Sequence, residues 1–221
     1  MQFWRRLSVS VLACSLVSLG ACSTAPRQPP VIPRPAEFIP LGLSAGYLSG
    51  DVVGGLKARS AKMRAAKIRP LGPAAAAQYL ASTENELRSQ TAGIGLDVLR
   101  VGNGILIRIP AALTFDSGSA TVKPQFDATL KEIARTIRTR NQSFVDVFAH
   151  TDTTGSPQVN LALSQKRASA VATYLAGHGV AKARIASKGY GETAPLYDPD
   201  VTEQQKAANR RVEIRLVAYR G

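Results

Sequence analysis

The chain has 221 residues, enough for one ordinary domain with a tail but not for two large domains. A hydrophobic fraction of 45%, 6% aromatics and two cysteines describe a globular chain and exclude a disulfide-dense scaffold. The formal net charge is +13, or +11 once Arg5 and Arg6 leave with a leader, and it favours anionic surroundings: a lipid surface, a carboxylate-bearing polymer or nucleic acid.

The amino terminus chooses among these. Arg5 and Arg6 precede an apolar run from Leu7 to Leu19, too short to span a bilayer, which reads as the core of a signal peptide over residues 1–21. Leu19-Gly20-Ala21-Cys22 then resembles a bacterial lipobox, which implies cleavage before Cys22 and acylation of that residue. Cys14 leaves with the leader, so no internal disulfide is expected. Residues 22–40 hold Pro26, Pro29, Pro30, Pro33, Pro35 and Pro40, an extended linker that stands the folded part away from the membrane. Ser23 after the acylated cysteine is not the aspartate associated with inner-membrane retention, so by that resemblance the anchor is expected in the outer membrane.

Residues 41–72 combine Gly42, Gly46, Gly50, Gly54 and Gly55 with a basic run, Lys57, Arg59, Lys62, Arg64, Lys67 and Arg69. Four-residue glycine spacing permits close helix contacts, yet glycine is a poor helix former in water, and the segment is expected to be weakly ordered. The basic run reads either as a solvated basic helix or as a surface for anionic head groups or another polyanion. Aromatic residues that stack on bases are absent from it, and export argues further against nucleic acid as a partner.

A folded domain is expected over residues 73–221. Ala74 to Gln90 forms a helix started by Pro73, and Leu96–Arg100 and Ile105–Ile109 form strands about a Gly102-Asn103-Gly104 turn. Leu113–Phe115 extends the second strand. Phe126, Leu130, Ile133 and Ile137 mark an amphipathic helix opened by Pro124. Ser143 to Phe148 is an inner strand, Thr153–Pro157 a turn-rich loop, and Val159 to Gly177 a helix that displays Asn160, Ser164 and Arg167 on one face. Arg184–Ser187 is a short strand followed by a turn at Lys188–Gly191. Thr202 and Gln205 suit a capping box, and Arg211–Val217 alternates as a half-buried strand. Strands alternating with helices predict an α/β layered sandwich with a mixed sheet.

Several ordered motifs carry a resemblance. Leu113-Thr114-Phe115-Asp116-Ser117-Gly118-Ser119-Ala120, His150-Thr151-Asp152-Thr153-Thr154-Gly155 with Asn160, Leu163-Ser164 and Arg167-Ala168, Gly189-Tyr190-Gly191-Glu192, and Asn209-Arg210-Arg211-Val212-Glu213 are similar to the OmpA-like C-terminal domain (the OmpA/Pal/MotB peptidoglycan-binding family), from about residue 95 onward. Ala149 stands where many members have glycine, and Lys206-Ala207-Ala208 replaces Gly-Arg-Ala. The resemblance implies non-covalent binding of peptidoglycan through the diaminopimelate tip of its peptide stem. Asp152 would accept from the ammonium and Arg167 would fork onto the carboxylate, a charge-assisted pairing selective for a zwitterion. The bland alternative is that Asp152 and Arg167 pair with each other. Asn160 either contacts ligand or orients the loop. Phe115 and Asp116 are candidates to line the pocket, although Phe115 suits the core, and either Arg210 or Arg211 faces outward, with Arg211 the candidate contact.

His150, Asp152 and Ser164 tempt a hydrolytic reading, but no nucleophile-elbow motif surrounds Ser164, and His150 reads as a strand-end residue bonded within the loop. His150 and His178 are the only histidines, so no metal-ligand cluster and no cofactor are expected. Three readings remain: a wall-tethering outer-membrane lipoprotein, not an enzyme; an assembly lipoprotein with envelope protein partners; and a peptidoglycan hydrolase.

Overall fold

The computed structural model describes residues 53–221, so the leader, Cys22, the proline-rich linker and Gly42 to Gly50 lie outside the described residues. Twelve elements follow in order: helices α1 (Leu56–Ala65) and α2 (Pro73–Thr91), strands β1 (Asp97–Val101) and β2 (Gly104–Pro110), a single helical turn α3 (Ala111–Thr114), α4 (Pro124–Thr139), β3 (Ser143–His150), α5 (Pro157–Gly177), a 3-10 turn (Lys182–Arg184), β4 (Ile185–Gly191), α6 (Glu203–Asn209) and β5 (Arg211–Ala218). The strands form one mixed sheet in the order β1-β2-β5-β3-β4. Only β3 and β4 run parallel, joined by α5 as the crossover. The mixed sheet packed by helices is the layered architecture the sequence predicts.

Period-2 alternation sorts the sheet into two faces. Ile105, Ile107, Ile109, Val145, Val147, Ala149, Val212, Ile214 and Leu216 point to one side and join Leu80 and Leu87 of α2, Leu130, Ile133 and Ile137 of α4, and Val171 and Leu175 of α5 in the main core. Pro73, Pro124 and Pro157 each open a helix in the first turn, where a missing N–H costs nothing. Thr202 and Gln205 make the capping box of α6 in full. Two expected breaks move. Leu113 and Thr114 belong to the α3 turn rather than to β2, which ends at Pro110. The expected turn at Lys188–Gly191 is instead the second half of β4. Gly189 is needed there because α5 lies against the strand: a Cβ would sit 2.3 Å from the Gln165 backbone nitrogen.

The other face of the sheet is charged and still buried. Asp146 of β3, fully shielded from solvent, accepts from Arg215 of β5 at 2.8 Å and from Arg59 of α1. Arg59 also donates to the carbonyls of Val145 and Arg184 and lies 5.2 Å from the Phe144 ring centroid. Further along, Glu213 takes Arg108 at 3.1 Å, Arg211 at 3.0 Å and the His150 ring at 3.5 Å. The half-buried reading of β5 is therefore corrected: all eight residues are buried, because opposite charges on neighbouring strands satisfy one another.

The expectation of weak order for residues 41–72 is overturned for its described part. Residues 56–65 are helical, with Arg59 and Met63 buried, and Met63 and Ile68 pack on Phe144, Val217 and Tyr219. Helix propensity and glycine spacing did not reveal this, since tertiary ion pairing and packing hold the helix. Its end is a Schellman-type cap: Ile68 N–H donates to the Met63 carbonyl at 3.0 Å and Lys67 N–H to that of Arg64 at 2.9 Å, with Lys67 at φ 58°.

Two measurements follow from this face. Arg59→Ala leaves Asp146 buried with one of its two guanidinium partners gone, and it should cost about 3–5 kcal/mol in urea denaturation and speed tryptic cleavage between Lys57 and Arg69; an unchanged cleavage rate would refute the docking. Burial lowers the His150 pKa to about 4, helped by Arg211 and opposed by Glu213. The unfolded chain binds this proton below 6.5 and the folded chain only near 4. Stability should therefore be full above pH 6.5 and fall by about 3 kcal/mol as the pH drops to 4, while His150→Gln should flatten the melting temperature across that window.

Candidate functional site

The site is built where β3 ends. Thr151 N–H donates to the Gly191 carbonyl at 2.9 Å, holding the chain beside β4 for one residue beyond the strand. Asp152 then turns the loop: its Oδ1 accepts from Thr154 N–H at 3.1 Å, an Asx-type contact within the turn formers Thr153-Thr154-Gly155. Gly155, at φ 99°, supplies the left-handed step before Ser156 caps α5.

Neighbouring elements brace this loop on both sides. Asn160, on the first turn of α5, donates to the carbonyls of Asp152 (3.3 Å) and Thr154 (3.2 Å) and to Glu192 Oε2 (2.7 Å). On the far side Asp200 accepts from Thr153 N–H at 3.1 Å and Oγ1–H at 2.5 Å, and from Asn209 at 3.0 Å. Burial raises the pKa of Asp200, but the Thr153 and Asn209 hydrogen bonds outweigh it, so this carboxyl lies below its usual range and stays ionised.

Arg167 projects from α5 two turns beyond Asn160, only 5% exposed. Its Nε donates to the Ser119 carbonyl at 2.8 Å and its Nη2 to that of Asp116 at 3.3 Å, and the guanidinium lies 5.2 Å from the Phe115 ring centroid. Phe115 is thus a buried platform beneath the cation. Asp116 takes part through its backbone, while its side chain reaches Lys123 at 3.1 Å. Burial lowers the Arg167 pKa, Arg210 lowers it further, and Asp152 raises it, so the three charges share one electrostatic neighbourhood.

Asp152 and Arg167 share this neighbourhood without hydrogen-bonding to each other. The Asp152 carboxylate, 6% exposed as a residue, takes its ion pair from Arg210 Nη1 at 2.5 Å, and Arg210 Nη2 donates to Glu203. The bland alternative of a direct Asp152–Arg167 bond is therefore corrected. Burial pulls the Arg210 pKa down, but Glu203 and Asp152 more than reverse it. The Arg210 side chain keeps 34% of its exposure and forms the lid over the carboxylate.

Arg210 is the residue sequence reasoning undervalued. Arg211, the candidate contact, is buried on the charged sheet face and bonds to Glu213, the Asn209 carbonyl and the Ala194 carbonyl. The alternation of Val212, Ile214 and Leu216 into the core already placed Arg211 with Glu213 and Arg215; Arg210, at the end of α6, escapes that rule. His150 is not bonded within the loop either: its ring is buried beside Glu213 and stacked on Tyr190, with centroids 5.2 Å apart. Ser164 accepts from Gly191 N–H at 2.8 Å and donates to the Leu161 carbonyl, so His150, Asp152 and Ser164 each engage different partners. Among the described residues no group of three His, Cys, Asp or Glu is placed to hold a metal ion.

The chain that carries this arrangement is similar to known proteins. Residues 114–210, which span the Asp116 turn, the Asp152 loop, Arg167 and Arg210, match the OmpA family. The chain is 34% identical over 214 residues to Probable lipoprotein YiaD of Escherichia coli K12, covering 94% of this chain and 95% of that one. It is 37% identical over 113 residues to outer membrane porin F of Pseudomonas fluorescens, covering 51% of this chain and 34% of the porin. Among solved structures, a MotB-like protein from Desulfovibrio vulgaris superposes with a TM-score of 0.58 at 25% identity over 64% of this chain and 95% of its own. The cell wall anchor of the T6SS from Pseudomonas aeruginosa does so with a TM-score of 0.52 at 28% identity over 64% and 96%. The match at 34% identity over nearly the whole of both chains, together with the family match over residues 114–210, settles the assignment: the chain belongs to the OmpA family.

Proposed function

We propose that the chain is an outer-membrane lipoprotein that binds peptidoglycan non-covalently through the diaminopimelate of the peptide stem and so tethers the membrane to the wall. The observation that carries this reading is the convergence of one carboxylate, Asp152, with two guanidinium groups, Arg210 paired to it and Arg167 in the same electrostatic neighbourhood, at a braced loop past the end of β3. A diaminopimelate tip offers an ammonium and a carboxylate on one carbon. The ammonium replaces the Arg210 guanidinium on Asp152, and Glu203 retains Arg210 as its counter-ion. The carboxylate meets the Arg167 fork, which Phe115 and the Ser119 and Asp116 carbonyls hold in place. Asn160 acts as a strut that sets the loop, and no group acts as a nucleophile. Acylation of Cys22 supplies the membrane anchor, since several chains on one residue hold where a single chain is marginal. The likeness to a cell wall anchor and to a lipoprotein supports the same reading.

Pelleting with purified sacculi tests it. Asp152→Ala and Arg167→Ala should each weaken binding by at least tenfold, because each leaves one charge of the bound zwitterion without its counter-ion. Free diaminopimelate should compete where lysine and pimelic acid do not; equal competition by all three would sink the zwitterion site. Asp200→Ala removes the carboxylate that accepts two hydrogen bonds from Thr153 of the loop, at about 1.5–3 kcal/mol each, and should lower both the melting temperature and sacculus binding. Cys22→Ser should let a wash of about 0.5 M salt release the protein from membranes, which the acylated protein should resist, and soluble muropeptides released by the unaltered protein would restore the hydrolase reading.

A further inference from the structure

Helix α1 leaves a surface that wall binding does not use. From Val53 to Thr83 the sequence contains six basic residues and no acid. One of the six, Arg59, turns inward to Asp146. The other five, Lys57, Lys62, Arg64, Lys67 and Arg69, are exposed. Lys182 and Arg220, also exposed, extend the patch. Lys62 and Lys182 line one cleft of about 150 Å³ between α1 and the 3-10 turn, and Arg220 is bridged to Leu71 just past the helix. Among the described residues, none of these seven cations forms an ion pair with an acid. Like charges at this spacing repel and weaken an isolated helix, so the patch persists only because Arg59, Met63 and Ile68 dock it.

The position of the patch is informative. Arg59, Met63 and Ile68 engage the start of β3 and the end of β5, at Phe144, Val145, Val217 and Tyr219. Asp152 and Arg210 lie past the end of β3 and just before β5. A strand rises about 3.3 Å per residue, so Phe144 and Asp152 are roughly 25 Å apart. The basic face and the acid-base site therefore occupy opposite ends of the same two strands. The chain that carries the lipobox enters the described domain at Val53, directly before the basic helix.

We propose that the exposed face of α1, with Lys182 and Arg220, is a docking surface for the anionic phospholipid head groups of a bilayer. Charge complementarity carries the proposal, and its placement where the upstream chain enters orients the opposite pole, with Asp152, away from the lipid. Each cation near an anionic membrane surface raises binding roughly fivefold, and the attraction is screened by salt. The proposal does not rest on the wall-binding reading, because the two surfaces share no residue.

The test uses the chain from residue 22 with Cys22→Ser, so that no acyl group contributes, in flotation with phosphatidylglycerol-containing or pure phosphatidylcholine vesicles. Binding is expected to the anionic vesicles alone and to be lost in 0.5 M salt, where the Debye length falls to roughly 4 Å. Lys57→Gln/Lys62→Gln/Arg64→Gln/Arg69→Gln should reduce it at least a hundredfold while sacculi still pellet the protein. Should that variant fail to fold, Lys57→Gln/Arg69→Gln should show a loss of roughly twentyfold. Asp152→Ala/Arg167→Ala should bind vesicles normally even if it loses the wall, which separates the two readings. Equal binding to neutral vesicles, or an unchanged quadruple variant, overturns the proposal. Loss of sacculus pelleting by the quadruple variant without any vesicle binding also overturns it and assigns the face to the carboxylates of the wall.

Discussion

Asp146 sets the constraint on which the rest of the structure depends. It sits in a strand buried on both faces, so its carboxylate has no route to water and requires cationic partners. Arg215 supplies one from β5 and Arg59 supplies the other from a helix far upstream. Arg59 reaches on to the carbonyls of Val145 and Arg184, which ties α1 to β3 and to the start of β4 in a single register. Buried ion pairs are a weak source of net stability but costly to break, so their effect here is to specify one arrangement among alternatives. Glu213 repeats the device with Arg108 and Arg211, while the His150 ring lies beside it.

That arrangement determines the geometry of the site. With β3 and β5 locked side by side in antiparallel register, His150 pairs with Arg211, and the residues just beyond each strand end, Asp152 and Arg210, are brought within ion-pair distance. Arg167 arrives separately, carried by α5 across β3 and β4, with Gly189 allowing the close approach of helix and strand. The site is thus a convergence of three elements, with Asp200, Asn160 and Glu192 bracing the loop. On the proposed reading its ligand carries both signs, because a cation alone would have to displace Arg210 with nothing offered to Arg167 in return.

The main helices and most strands were legible because strong apolar periodicity and proline starts agree with each other. The helix at Phe126 to Ile137 and the capping box at Thr202 depend on residues within a few positions, and the structure reproduces them. The extension of β4 through Gly189 and Gly191 was not legible, since two glycines in a short run read as a turn until a helix is seen to pack against them. For the basic run a helix was one of the readings, but its docking was hidden: an alanine-rich basic segment carries no apolar stripe, and the contacts of Arg59, Met63 and Ile68 are to residues some 80 to 150 positions away.

The sequence by itself determined the layered class and the family motifs, because each follows from local spacing, and the resemblance those motifs carry made Asp152 and Arg167 the proposed acid and base of the site. Only the tertiary structure decided that Arg210 rather than Arg167 is the counter-ion of Asp152, that Arg211 is buried with Glu213, and that His150 serves the charged sheet face. The physical reason is that an ion pair depends on distance in space, which the register of β3 against β5 sets and which neighbouring positions in the chain, such as Arg210 and Arg211, do not share.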